Sequence, residues 1–91
     1  MAVVRIPTVL RPQTGGQARV EVAGGTVGEV LAALVAGNPG LEERLLEDGK
    51  VRGYVNVFVD DEDIRYLDGE ATAVAPDAEL TIMPAVAGGA R

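Results

Sequence analysis

The sequence predicts an α+β domain, a mixed sheet of four to five strands packed on one main helix. Three observations point there. Arg19-Val20-Glu21-Val22 and Tyr54 to Val59 both alternate between two faces with the period of a strand, and one face of each is valine. Between them, Val27, Val30, Leu31, Leu34 and Val35 fall on a single helical stripe. The order of elements reads strand, strand, helix, strand, strand, strand. The helix stripe and the valine faces can be buried only against each other.

Val3-Val4-Arg5-Ile6 reads as the first strand, with Pro7 tolerated at a sheet edge or where the chain leaves the ladder. Thr14-Gly15-Gly16 is a turn, so the first two strands form a hairpin with a long connection. Gly24-Gly25 precedes a helix that Thr26 can cap, with Glu29 three residues on completing a capping box; Gly37 and Pro39 stop it. Leu41 to Leu46 adds a short second turn of helix with Leu41 and Leu45 inward. Tyr54 to Val59 is the strongest strand, with Val55, Val57 and Val59 facing the core and Tyr54, Asn56 and Phe58 facing out. The acidic run Asp60 to Asp63 turns into a short strand at Ile64-Arg65-Tyr66, and Pro76-Asp77 leads to a last strand from Glu79 to Met83.

Composition excludes much chemistry. Ninety-one residues make one domain, too short for a core plus a roomy catalytic cleft. The apolar fraction is 47% and Tyr54, Phe58 and Tyr66 are the only aromatics, so the core is aliphatic. Cys, His, Trp and Ser are all missing. Without thiol or imidazole this chain alone can build no structural zinc site, iron-sulfur cluster, Cys-His pair or Ser-His-Asp triad. Lys50 is the single lysine and sits in a turn-like polar stretch, a poor place for Schiff-base chemistry.

The net charge is -6, with seven arginines scattered along the chain. No basic stripe emerges, which argues against nucleic acid and against an anionic membrane. The acidity suits a basic protein partner, or serves solubility alone. Apolar runs are short and broken by charge, so neither a membrane span nor a signal peptide is expected, and a cytoplasmic location follows.

Of three glycine pairs, Gly15-Gly16 is explained by its turn and Gly24-Gly25 by helix entry, since no phosphate-loop spacing follows the latter. The acidic run fails as a calcium loop: from Asp61, the fifth position is Arg65 and no glycine stands at the sixth. Asn56 among valines is placed for a partner hydrogen bond or for local backbone satisfaction. No structural need explains Gly88-Gly89. Pro84 favours an extended exit and Ala85, Val86 and Ala87 are small, so residues 1–84 are expected to form the body and residues 85–91 a thin, flexible tail. Glycines at its tip let another protein's backbone approach the carbonyl without a Cβ in the way.

Ile6-Pro7-Thr8, Leu10-Arg11-Pro12, Thr14-Gly15-Gly16, Val55-Asn56, Asp61-Glu62-Asp63 and Pro84-Ala85-Val86-Ala87-Gly88-Gly89 together resemble the MoaD/ThiS family of ubiquitin-like sulfur carriers, in particular its CysO-like branch. The resemblance implies a ubiquitin-like β-grasp fold and a non-enzymatic carrier. It implies that a MoeB/ThiF-like enzyme uses ATP to adenylate the terminal glycine carboxyl, and that sulfur then displaces AMP to leave a thiocarboxylate on Gly89. No cofactor is bound by such a carrier. In this branch the sulfur goes to an aminoacrylate on a pyridoxal-phosphate-dependent cysteine synthase. Gly88, Ala87 and Val86 would be read by the partners threading the tail, and Phe58, Tyr54 and Met83 would dock them.

Mature members of the family end in Gly-Gly, whereas here Ala90-Arg91 follows. The pair is then a precursor extension cut at the Gly89-Ala90 bond by a JAMM-type metallopeptidase, unless it was appended in cloning. The alternatives are the small subunit of a molybdopterin synthase, a carrier for thiamine or a natural product, a ubiquitin-like modifier joined to lysines through Gly89, and an interaction domain with an inert end.

Overall fold

The computed structural model describes residues 1–47, 50–53 and 55–84. Strands β1 (Ala2–Arg5) and β2 (Arg19–Val22) form the antiparallel hairpin, with Val4 opposite Val20 and Arg5 opposite Arg19. The first strand starts and ends one residue earlier than the sequence pattern suggests, although the Ile6 N–H still donates to the Ala18 carbonyl at 2.7 Å. The long connection is not irregular. Thr8–Thr14 winds as a 3-10 helix that ends on Gly15 and Gly16, at φ 66° and 87°. Buried Thr14 holds this corner, its hydroxyl 2.9 Å from the Gln17 carbonyl and 3.1 Å from that of Arg11.

Helix α1 (Val27–Gly37) begins on a variant of the expected capping box, in which the glutamate reaches back one residue beyond the N-cap. The Glu29 N–H donates to the Thr26 hydroxyl at 3.2 Å, and the Glu29 carboxylate accepts from the Gly25 N–H at 2.8 Å. A cap of this kind contributes about 1 kcal/mol. Gly24 is required by packing: a Cβ there would lie 2.8 Å from both the Val30 backbone nitrogen and its Cγ2. Val27, Val30, Leu31 and Leu34 are buried against the sheet, and Val35 packs at the margin of the same cluster. A 3-10 turn (Pro39–Leu41) and a short helix α2 (Glu42–Leu45) follow, burying Leu41 and Leu45 as expected.

A hairpin absent from the sequence pattern comes next, β3 (Leu46–Glu47) against β4 (Lys50–Val51). Strand β5 (Val55–Val59) buries its three valines and turns outward at Asn56 and Phe58, as the alternation demands. Asp60 and Asp61 both have positive φ, 48° and 76°. That is the geometry of a two-residue hairpin turn whose twist matches the strands, and it pairs Val59 with Glu62.

The sequence expectation fails just beyond. The short strand is β6 (Glu62–Asp63), and Ile64–Tyr66 is a 3-10 turn. Asp63 explains it: its carboxylate accepts from the Arg65 N–H at 2.8 Å, capping the turn and pulling the chain out of the ladder. Ile64 then folds inward, and Tyr66 is left 88% exposed. Gly69–Ala71 forms one more 3-10 turn before β7 (Glu79–Pro84).

The main sheet has the order β2-β1-β7-β5-β6. The last strand is therefore central, parallel to β1 and antiparallel to β5. The core between sheet and helices is aliphatic, drawn from Ala2, Val4, Leu31, Leu34, Val57, Leu80, Ile82 and their neighbours. Among the described residues no helix is long and apolar enough to cross a membrane.

Candidate functional site

Everything beyond Pro84 continues from the strand held most firmly. Strand β7 has a partner along both edges, and Leu80 and Ile82 are anchored at 0% and 1% exposure. Val55 stands opposite Pro84, which has no N–H to donate, so its ring nitrogen ends the donor side of the ladder there. The tail residues Val86, Ala87, Gly88, Gly89 and Ala90, expected to carry the chemistry, lie outside the described residues, as does Tyr54.

The open face of the sheet surrounds this exit. Thr81 and Met83 project outward from β7, beside Phe58 and Asn56 of β5 in the pairs Phe58-Thr81 and Asn56-Met83. Met83 is 52% exposed, and Phe58 is half-buried. The two described members of the expected docking trio thus share one face, diagonal to each other and two residues apart in register along adjacent strands. An apolar pair of this kind among polar neighbours is the composition of an interface centre.

Asn56 is used locally. Its side-chain oxygen accepts from an Arg65 guanidinium nitrogen, and the same guanidinium pairs with Asp63 at 3.0 Å. Arg65 therefore ties β5 to β6 across the face. The hydrogen bond from the Arg65 side chain, followed by that from its backbone N–H, holds the Asp63 carboxyl below the ordinary aspartate range. The stabilisation is present above the usual aspartate pKa and is lost as pH falls through the lowered one.

The acidic turn has a structural role as well. Asp60 accepts from the Glu79 N–H at 3.1 Å and donates its own N–H to the Glu79 carbonyl at 2.9 Å, extending the β5-β7 pairing by one residue. Among the described residues, no three His, Cys, Asp or Glu side chains converge to hold a metal.

One cluster escaped the sequence reading. The arginines look scattered along the chain, yet Arg5, Arg11 and Arg19 converge on a groove of about 280 Å³ beside Met83. The hairpin register causes this, setting Arg5 opposite Arg19.

Comparison with known proteins agrees with this geometry. The ThiS family model matches residues 4–89. The sulfur carrier protein CysO of Mycobacterium tuberculosis is 49% identical over 89 residues, covering 94% of this chain and 96% of that protein. CysO in the crystal structure of the Amycolatopsis orientalis BexX/CysO complex superposes with a TM-score of 0.91 at 42% identity, covering 98% of this chain and 100% of that one. Small archaeal modifier protein 3 of Haloferax volcanii is 45% identical over 64 residues, 70% of each chain. With the five-stranded β-grasp sheet, the family match through the diglycine and this identity over nearly the full length, the chain belongs to the ThiS family, as a sulfur carrier protein of the CysO kind serving cysteine biosynthesis, and is not itself an enzyme.

Proposed function

We propose that the sulfur is held as a thiocarboxylate at the carboxyl of Gly89, with residues 1–84 acting as a handle and residues 85–91 as the segment that partner enzymes engage. The observation that carries this reading is the family match, whose span of residues 4–89 reaches the end of the diglycine. A carboxylate is a poor electrophile because its charge is delocalised. Attack of a Gly89 carboxylate oxygen on the α-phosphorus of ATP expels pyrophosphate and leaves a mixed anhydride. Sulfide sulfur then adds to the carbonyl carbon and AMP departs as the leaving group.

Those steps fall to a MoeB/ThiF-like activating enzyme, and delivery of the sulfur to a pyridoxal-phosphate-dependent cysteine synthase. A JAMM-type metallopeptidase supplies the free carboxyl by hydrolysing the Gly89-Ala90 bond. Val86, Ala87 and Gly88 serve as the stretch read in the partners' channels, where small side chains permit close approach. The test is the intact mass of the chain ending at Gly89 after incubation with activating enzyme, ATP and sulfide. Replacement of one terminal oxygen by sulfur is expected; an unaltered mass with active enzyme would remove the proposal.

Docking falls to Phe58 and Met83 on the open sheet face, and to Tyr54, which lies outside the described residues. Phe58→Asp is expected to weaken binding to the activating enzyme about tenfold or more by placing a charge in the centre of an apolar contact. The half-buried position tolerates the change without unfolding. Binding by calorimetry, with circular dichroism as the fold control, checks both; an undiminished affinity would place the contact elsewhere.

A second reading has an observation behind it, the 45% identity to a small archaeal modifier protein. As a modifier the chain would appear in cell extract as conjugates on lysines of other proteins, abolished by loss of Gly89. Free thiocarboxylate without conjugates favours the carrier.

A further inference from the structure

We propose that Arg5, Arg11 and Arg19 form a basic docking patch at the root of the last strand, occupied by a carboxylate-bearing segment of the enzyme that activates the chain's end. The inference rests on the carrier reading and adds the chemistry of the partner's surface. Like charges directly opposite across an antiparallel pair oppose folding, yet the register sets Arg5 against Arg19. Both side chains are open to solvent, at 59% and 66% exposure.

Among the described residues, Glu79 is the one carboxylate within ion-pair distance of either, 3.1 Å from Arg19 and 3.9 Å from Arg5. Arg11 donates from Nε to the Ile6 carbonyl at 3.2 Å and has no carboxylate partner among the described residues. Three guanidiniums thus line the groove, and among the described residues one carboxylate pairs with two of them. The imbalance is positive on a chain whose net charge is -6.

The position gives the imbalance a use. The groove's other wall is formed by Thr81 and Met83, so a partner seated there lies beside the point where the chain continues past Pro84. An acidic partner segment is repelled by most of this acidic molecule and attracted at one face, which orients the encounter with the tail forward. Glu79 already demonstrates the recognition, a carboxylate lying against two guanidiniums, and leaves donors on both arginines and the charge of Arg11 for a second. Exposed Met83 at the rim suits a protein surface better than a free polyphosphate.

The experiment is steady-state adenylation of the chain ending at Gly89 by the MoeB/ThiF-like enzyme of the same organism, at low and high sodium chloride. The Arg5→Glu/Arg19→Glu variant is expected to raise KM for the carrier about tenfold, to keep kcat within about twofold and to flatten the rise of KM with salt. Glu79→Gln is expected to act in the opposite sense, lowering KM about threefold by freeing both arginines. Arg44→Glu, an exposed reversal on α2, leaves KM unchanged.

A folded double variant with the KM and salt response of the parent overturns the patch. A rise confined to KM for ATP assigns the arginines to nucleotide phosphates and overturns the carboxylate assignment. Should the double variant not fold, Glu79→Gln decides: a KM at or above the parent's overturns the proposal. Failure of the parent chain itself to be adenylated overturns the carrier reading, and this inference with it.

Discussion

The chain ending at Gly89 is expected to be charged with sulfur, and the same chain continuing through Ala90-Arg91 to remain uncharged. The contrast follows from bonding. With Ala90 attached, the Gly89 carbonyl belongs to an amide, which offers no carboxylate oxygen to attack phosphorus. Resonance with the amide nitrogen also makes it a poor site for sulfide. Cleaving one peptide bond therefore turns an inert segment into a substrate. The difference should be all or none within the sensitivity of intact-mass detection, after equal times with activating enzyme, ATP and sulfide.

A Gly89→Val variant of the shortened chain sharpens the test. It keeps the carboxylate but sets a branched Cβ beside the reacting carbon, and such misplacement at a reacting centre costs on the order of a hundredfold in rate. If the longer chain gains sulfur as readily as the shorter one, the chemistry does not reside on Gly89.

How far these expectations could be drawn from sequence depended on the kind of signal. Strand β5 was legible because a period of two admits one reading: Val55, Val57 and Val59 are buried, and Phe58 falls on the other face. Helix α1 was legible from Thr26 and Glu29, since the hydroxyl cap is made by residues a fixed distance apart, with the Glu29 carboxylate reaching back to the Gly25 N–H. Ile64-Arg65-Tyr66 was misread because its apolar content suggested a strand, while a single bond from the Arg65 backbone N–H to the Asp63 carboxylate capped a turn. Side-chain competition for backbone donors of this kind leaves no periodicity.

The β3-β4 hairpin is too short for alternation to register at all. The arginine cluster was hidden for another reason: it depends on the pairing of β1 with β2, and strand patterns alone do not fix register. Gly88-Gly89 stood out in the sequence because no element needed it.

Replacing Leu80 by Ala is expected to be the most damaging single change to the folded body. Leu80 is fully buried on the central strand, with Val4 beside it on β1 and Val59 on β5. Neighbours on both sides prevent the site from collapsing, so the substitution loses transfer free energy and leaves a cavity, together about 2–5 kcal/mol. A domain of 91 residues has roughly 5–14 kcal/mol in total. The urea midpoint should therefore fall by about 2 M with little change in slope.

Met83→Ala, three residues along the same strand but on the exposed face, should move stability by no more than about 0.5 kcal/mol. The two variants separate the roles of one strand's two faces. Leu80→Ala, studied well below its unfolding transition, should still be charged with sulfur at a rate close to the parent's, because the reacting carboxyl takes no part in the core. Equal stability losses at positions 80 and 83 would mean that the sheet face toward α1 is not what holds the domain together.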